Sequence, residues 1–118
     1  MTPPADDTIV AIATPPGRGA LALVRGSGPQ ALSIAGRIAR PFPGEPRVAT
    51  LSRLVDAAGA ALDEAIVIAY HAPASFTGED CVEVTCHGGA MTPATIAAAF
   101  VALGARPAEP GEFTRRAV

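Results

Sequence analysis

The run 80–86 constrains the fold of this chain more than any other segment. It has the sequence Asp-Cys-Val-Glu-Val-Thr-Cys and leads into the glycine pair Gly88-Gly89. Alternation of apolar side chains with a period of two residues predicts a β-strand with one face in the core. Glu83, at the centre, falls on the other face, although carboxylates are depleted in strands. Either that face is simply solvated, or it holds Glu83 for a ligand. The core face would consist of Val82, Val84 and Cys86.

Apolar periodicity and turn residues predict the other elements. Further strands are predicted at 8–14, 20–25, 48–55 and 62–70. Helices are predicted at 29–39, with Ser27 as the cap, and at 92–104, with Thr92 as the cap, and a last helix begins near Glu112. The link 56–59 predicts a hairpin. Proline and glycine make 15–19 a loop and 40–47 a connector.

The order of these elements favours an α+β domain of two layers. Hairpin-paired strands with helices between them predict a mixed, mostly antiparallel sheet of about five strands with two to three helices. We expect residues 1–6 to form a flexible tail and 7–118 to form one domain. The chain ends with Arg-Arg-Ala-Val inside the last predicted helix, so we expect a fragment that is truncated there.

Composition excludes several classes of function. The formal net charge is −2, so no overall basic field attracts nucleic acid. The chain contains no lysine and no Walker motif, which excludes GTP binding by a P-loop within it. No apolar run approaches the ~20 residues of a membrane span, and the first residues do not resemble a signal peptide. We therefore expect a cytoplasmic protein without membrane contact.

Three short patterns point to other chemistry, but their context disfavours each. The run 26–31 fits the dinucleotide fingerprint G-x-G-x-x-A, yet a hairpin follows it and no suitable ribose-binding acid does, so a plain helix cap is favoured. His71, Cys81, Cys86 and His87 lack the close spacing of zinc ligands. Cys86 and His87 are adjacent on a strand and point apart, so they make a poor nucleophile and base. The two cysteines would face opposite sides of the strand and form no disulfide.

Glu83 and Arg25 are the candidate ligand-binding residues. A carboxylate on a rigid strand can accept two hydrogen bonds from a planar ring such as a pteridine. Arg25, at the end of the second strand, is either a solvated charge or a planar fork for a carboxylate or carbonyl of a ligand. The run His87-Gly88-Gly89 either forms a tight turn or lets the backbone approach a ligand closely.

Three runs in this order carry a family resemblance. They are 7–19, with Asp-Thr-Ile-Val-Ala and Pro-Pro-Gly-Arg-Gly; 75–89, with Thr-Gly-Glu-Asp and His-Gly-Gly; and 110–117, with Pro-Gly-Glu-Phe. Together they resemble the N-terminal domain of the tRNA modification GTPase family, MnmE or TrmE, over residues 7–118. The domain of that family in turn resembles the tetrahydrofolate-binding domain of aminomethyltransferases.

The resemblance implies a cofactor and its site. The cofactor is a reduced folate, 5-formyl- or 5,10-methylene-tetrahydrofolate, and the family's motif arginine and acid match Arg25 and Glu83. The run 87–89 would line the pocket. No catalytic residue and no metal ligand are implied for this chain. A folate-contacting lysine of the family falls beyond Val118, and the family's C-terminal helical domain has no counterpart here.

The resemblance also implies a longer parent enzyme. Such a parent binds GTP, Mg²⁺ and K⁺ outside this chain and acts with an FAD-dependent partner, MnmG or GidA. It installs a carboxymethylaminomethyl or aminomethyl group on the wobble uridine of tRNA. This chain would be its folate-binding and homodimerisation domain, not catalytic by itself. Two alternatives stay open: a purely structural dimerisation module without a functional pocket, and a folate-dependent one-carbon transferase domain.

Overall fold

The computed structural model describes residues 7–14, 19–89 and 91–118. The predicted tail at 1–6 and residues 15–18 of the predicted loop lie outside these ranges. The predicted α+β class is confirmed. In chain order, the described ranges contain β1 (Ile9–Ile12), β2 (Leu21–Ser27), α1 (Ala31–Ile38), β3 (Ala39–Arg40), β4 (Thr50–Val55), β5 (Ala61–Tyr70), β6 (Cys81–His87), α2 (Thr92–Ala102), β7 (Arg106–Pro107) and α3 (Glu112–Ala117).

The strands form one mixed sheet in the order β3-β4-β5-β6-β2-β1-β7. Of its pairings, β1 with β7 is parallel and the rest are antiparallel, as predicted. The predicted number of about five strands is wrong, because the described residues form seven. The two additional strands, β3 and β7, have two residues each, and a pair of residues carries no periodicity.

One face of the sheet carries the hydrophobic core, beneath α1 and α2. Alternation along β6 buries Val82 and Val84 there, as the sequence predicted. Phe100 of α2 is fully buried. It packs so closely on β2 that a Cβ at Gly26 would lie 3.2 Å from its ring, so the close approach of α2 depends on that glycine. Within the described ranges the longest helix, α2, has 11 residues and falls short of a membrane span.

Both predicted helix caps are wrong. Ser27 is buried on β2, and its hydroxyl contacts the segment 71–80 instead of α1. Thr8 acts in its place, because its Oγ1 accepts a hydrogen bond from the Gln30 backbone N–H at 2.8 Å. Thr92 is the first residue of α2, which starts after Met91 without a side-chain cap.

Among the described residues, no helix covers most of the second face of the sheet. A row of cross-strand neighbours, Leu51, Ile66, Thr85 and Leu23, runs across β4, β5, β6 and β2 on this face. Leu51 is 62% exposed and Ile66 is 38% exposed. At one end of this face, residues of segment 71–80 and of α3 lie against β2 and β6. Cys81 and Cys86 are free and buried, and the prediction that they form no disulfide is confirmed.

Candidate functional site

The structure brings together the two residues that the sequence singled out. Arg25 on β2 lies directly opposite Glu83 on β6, on the second face of the sheet. The guanidinium donates from Nε and Nη2 to Glu83 Oε2, at 3.0 and 2.7 Å. Each side chain is 21% exposed, so the pair is largely shielded from water. The Nη1 group of Arg25 has no hydrogen-bond partner among the described residues.

Tyr70 is a member of this site that the sequence reasoning missed. Its hydroxyl donates to Glu83 Oε1 at 3.1 Å from the end of β5. Burial, followed by the negative charge of Glu83, raises the pKa of Tyr70, so it remains a neutral donor. Alternation along β5 could have found it, because Tyr70 shares a face with Ile66 and Ile68.

Two aromatic rings lie over the Arg25 guanidinium. The ring centroid of Phe76 is 4.9 Å from Cζ, and that of Phe113 is 5.9 Å from it. Both distances fall within the range of cation–π attraction. Phe76 is 52% exposed, which is unusual for a phenylalanine and leaves ring surface for a ligand. Neither ring could be assigned from periodicity, because Phe76 lies in a loop and Phe113 at the start of a short helix.

These residues border two clefts that share Arg25. The first, which we call the Glu83 cleft, has a volume of about 390 Å³. The second, the α3 cleft, has about 400 Å³ and lies between β1 and the segment 108–114. Both volumes fall in the range of small-molecule sites, about 300–1,000 Å³. The lining of the Glu83 cleft includes Arg25, Arg47, Tyr70, Ser75, Phe76 and Glu83.

The run 87–89 lies at the other end of β6, four positions or roughly 13 Å from Glu83. The described lining of the Glu83 cleft does not include it. His87 Nδ1 is 2.7 Å from Asp63 Oδ1, and its backbone N–H donates to Oδ2 at 2.9 Å. Burial raises the pKa of Asp63, but these hydrogen bonds outweigh it and leave that pKa below its usual value.

Gly88 packs directly on the backbone that precedes β2. Its N–H donates to the Ala20 carbonyl at 2.9 Å. A Cβ at this position would lie 1.8 Å from the Gly19 carbonyl oxygen, so no larger residue fits. The local requirement for glycine is therefore explained by a backbone contact, and a role of the run in ligand binding remains a prediction.

The chemistry of the Glu83 cleft suits a flat, polar ring. Glu83 is a carboxylate with acceptor capacity, Arg25 offers the donors of Nη1, and Phe76 offers an apolar wall. All three side chains are carried by the sheet or lie against it. This arrangement can bind and orient a heterocycle with N–H donors.

Comparison with known proteins identifies relatives of the chain. A sequence profile described as "GTP-binding protein TrmE N-terminus" matches residues 8–118. The tRNA modification GTPase MnmE of Azoarcus sp. (strain BH72) is 51% identical over 111 residues, which cover 94% of this chain and 24% of the relative. The MnmE of Moorella thermoacetica is 44% identical over 119 residues, with 95% of this chain and 26% of the relative covered. The chain thus spans about a quarter of the length of these curated relatives. It belongs to the TrmE N-terminal family.

Proposed function

We propose that this chain binds a reduced folate, 5-formyl- or 5,10-methylene-tetrahydrofolate, in the Glu83 cleft. The observation that carries the proposal is the Glu83 carboxylate, held in mid-strand at the edge of an aromatic cleft. A pteridine presents a ring N–H and an exocyclic amine side by side, and a carboxylate matches that pair of donors. Phe76 supplies a flat apolar surface beside it.

The acceptor count predicts a rearrangement when the ligand binds. A carboxylate has about four acceptor positions. Two donors of Arg25 converge on Oε2, and the Tyr70 hydroxyl takes one position on Oε1. One position on Oε1 is left, so a ligand with two donors would displace the Tyr70 hydroxyl or loosen one Arg25 bond. The Nη1 group of Arg25 would then serve a carbonyl or carboxylate of the same ligand.

We infer that the chain acts within a longer tRNA-modifying enzyme. The relatives are called tRNA modification GTPases, and this chain matches about a quarter of their length. The GTP, Mg²⁺ and K⁺ sites, the FAD-dependent MnmG or GidA partner and the tRNA would engage other parts of that enzyme. The folate would supply the one-carbon unit for the wobble uridine. The enzymatic reaction thus belongs to the parent, and this domain binds the cofactor.

We also propose that the chain pairs with a second copy of itself. The second face of the sheet exposes Leu51 and Ile66 as cross-strand neighbours, and Leu21 is 61% exposed on the same face. A sheet face of this kind gains stability when it is covered. Size-exclusion chromatography with light scattering should give a dimer, and Ile66→Glu should give a folded monomer. A monomeric wild type at high concentration would contradict this part.

Titration with 5-formyl-tetrahydrofolate tests the folate proposal. Glu83→Gln keeps the shape of the side chain and replaces one acceptor oxygen with a donor. We expect affinity to fall at least tenfold, or about 1.4 kcal/mol. Glu64→Gln is the matched control, because Glu64 is exposed on β5 away from the cleft. Equal affinities of Glu83→Gln and wild type would remove Glu83 from the site.

The open apolar face also favours a second candidate function, a structural dimerisation module. Such a module would form the dimer without binding folate. The same two measurements distinguish the candidates, because a dimeric wild type that does not bind 5-formyl-tetrahydrofolate supports the structural module alone.

A further inference from the structure

Charged residues from the three runs that carry the family resemblance meet in one network, together with Arg106 of β7, and Glu112 of this network lines the α3 cleft. Its members are Asp7, Glu79, Arg106, Glu112 and Arg116. At the centre is Arg116, whose side chain is 9% exposed and lies within ion-pair distance of three carboxylates. The network joins α3 to β7, to segment 71–80 and to Asp7 at the start of the described chain.

The bonds of Arg116 lead to three separate parts of the chain. Its Nη1 donates to Glu79 Oε1 at 3.2 Å and to the Asp7 carbonyl at 3.0 Å. Its Nη2 donates to Asp7 Oδ1 at 2.6 Å and to Glu112 Oε2 at 3.2 Å. Arg106 of β7 closes the network with bonds to Glu112 and Asp7. Arg116 thus ties α3 to the start of the described chain and to segment 71–80.

Glu79 continues the network into the sheet. Its Oε1 accepts a hydrogen bond from the buried Ser27 hydroxyl at 2.8 Å, and that hydroxyl is 2.7 Å from Thr77 Oγ1. Ser27 lies on β2, two positions after Arg25. The segment that carries Phe76 is therefore fixed both to the strand of Arg25 and, through Arg116, to α3.

The two aromatic rings over Arg25 come from the two segments that Arg116 joins. Phe76 belongs to segment 71–80, and Phe113 belongs to α3. We propose that Arg116 is a positioning residue, which sets the spacing of these rings about the Arg25 guanidinium and so the shape of the Glu83 cleft. The effect on ligand affinity rests on the proposed folate function, whereas the effect on Arg25 does not.

The test follows the Nε–H resonance of Arg25 by NMR, assigned from its loss in Arg25→Lys. That N–H donates to Glu83, which slows its exchange with water. In Arg116→Gln we expect this resonance to shift and the affinity for 5-formyl-tetrahydrofolate to fall at least about fivefold. Arg115→Gln is the matched control, because the neighbouring side chain is 59% exposed and should change neither readout.

A second control separates a loss of stability from a loss of positioning. Ile96→Val, a buried substitution in α2, should lower stability without moving the Arg25 resonance or the affinity. If Arg116→Gln does not fold, Glu79→Gln takes its place, since it weakens the bond between segment 71–80 and α3. A folded variant with an unchanged Arg25 resonance overturns the proposal, as does a shifted resonance with unchanged folate affinity. If the wild type binds no folate, the proposed function fails, and the Arg25 resonance still decides whether Arg116 positions the rings.

Discussion

The Arg25–Glu83 pair should make a measurable contribution to the stability of the domain. Two hydrogen bonds of 3.0 and 2.7 Å converge on one carboxylate oxygen. A hydrogen bond to a charged group contributes about 1.5–3 kcal/mol when shielded from water, and an exposed ion pair only about 0.2–1 kcal/mol. With both side chains 21% exposed, the pair falls between these limits. We expect a coupling free energy of about 1–2 kcal/mol.

A double-mutant cycle measures this coupling. The variants are Arg25→Met, which keeps most of the aliphatic stem, Glu83→Gln and their combination. The free energy of unfolding of each is obtained from urea denaturation with a common slope. The double variant should be more stable than the sum of the single losses predicts, because each single variant leaves one partner without its bonds.

A second cycle on an exposed pair provides the control. Arg115 and Glu109 approach to 3.4 Å, with side chains 59% and 70% exposed. Their coupling should stay below about 0.5 kcal/mol. If the Arg25–Glu83 coupling does not exceed that of the control within error, the pair is not preorganised, and the cleft does not hold Glu83 in a fixed position.

Two further results are expected. Gly88→Ala should lower the free energy of unfolding by about 3 kcal/mol or more, because its Cβ would lie 1.8 Å from the Gly19 carbonyl oxygen. Gly44→Ala is the control and should change it by less than about 0.5 kcal/mol, since nothing lies within 4 Å of that Cβ. Equal stabilities of the two variants in urea would contradict the packing at Gly88. Hydrogen bonds, the strongest from Arg106, lower the pKa of Glu112 from 4.5 to about 2. A lowered carboxyl pKa stabilises the folded state above pH 4.5, and this stability is lost as pH falls from 4.5 to 2. The urea concentration at the unfolding midpoint should therefore fall more steeply over this pH range for the wild type than for Glu112→Gln.

Local patterns in the sequence predicted the regular elements well. Alternation assigned the two faces of β6, with Val82 and Val84 in the core and Glu83 on the other side. The hairpin at 56–59 is also confirmed, since Asp56 accepts hydrogen bonds from backbone N–H groups within the turn. These features depend on residues close together in the chain, so a single sequence contains the information for them.

Features that depend on distant partners could not be predicted in this way. The two-residue strands β7 and β3 form because β1 and β4, respectively, pair with them. The hydroxyl that accepts a hydrogen bond at the start of α1 belongs to Thr8, 22 positions before Gln30. The prediction of Ser27 as the cap was wrong because it considered only neighbouring residues. Likewise, sequence patterns indicated Arg25 and Glu83 as separate candidates. Their direct pairing follows from the register of β2 and β6, which no local pattern specifies. Tyr70 joins them through the register of β5.

The position of a bound reduced folate decides whether Glu83 binds the cofactor. It can be determined in a crystal structure of the complex with 5-formyl-tetrahydrofolate. We expect the pteridine ring in the Glu83 cleft, with its ring N–H and exocyclic amine within about 2.7–3.2 Å of the Glu83 carboxylate oxygens. A folate bound elsewhere, with the Arg25–Glu83 pair and the Tyr70 hydroxyl unchanged from their contacts here, would contradict the account.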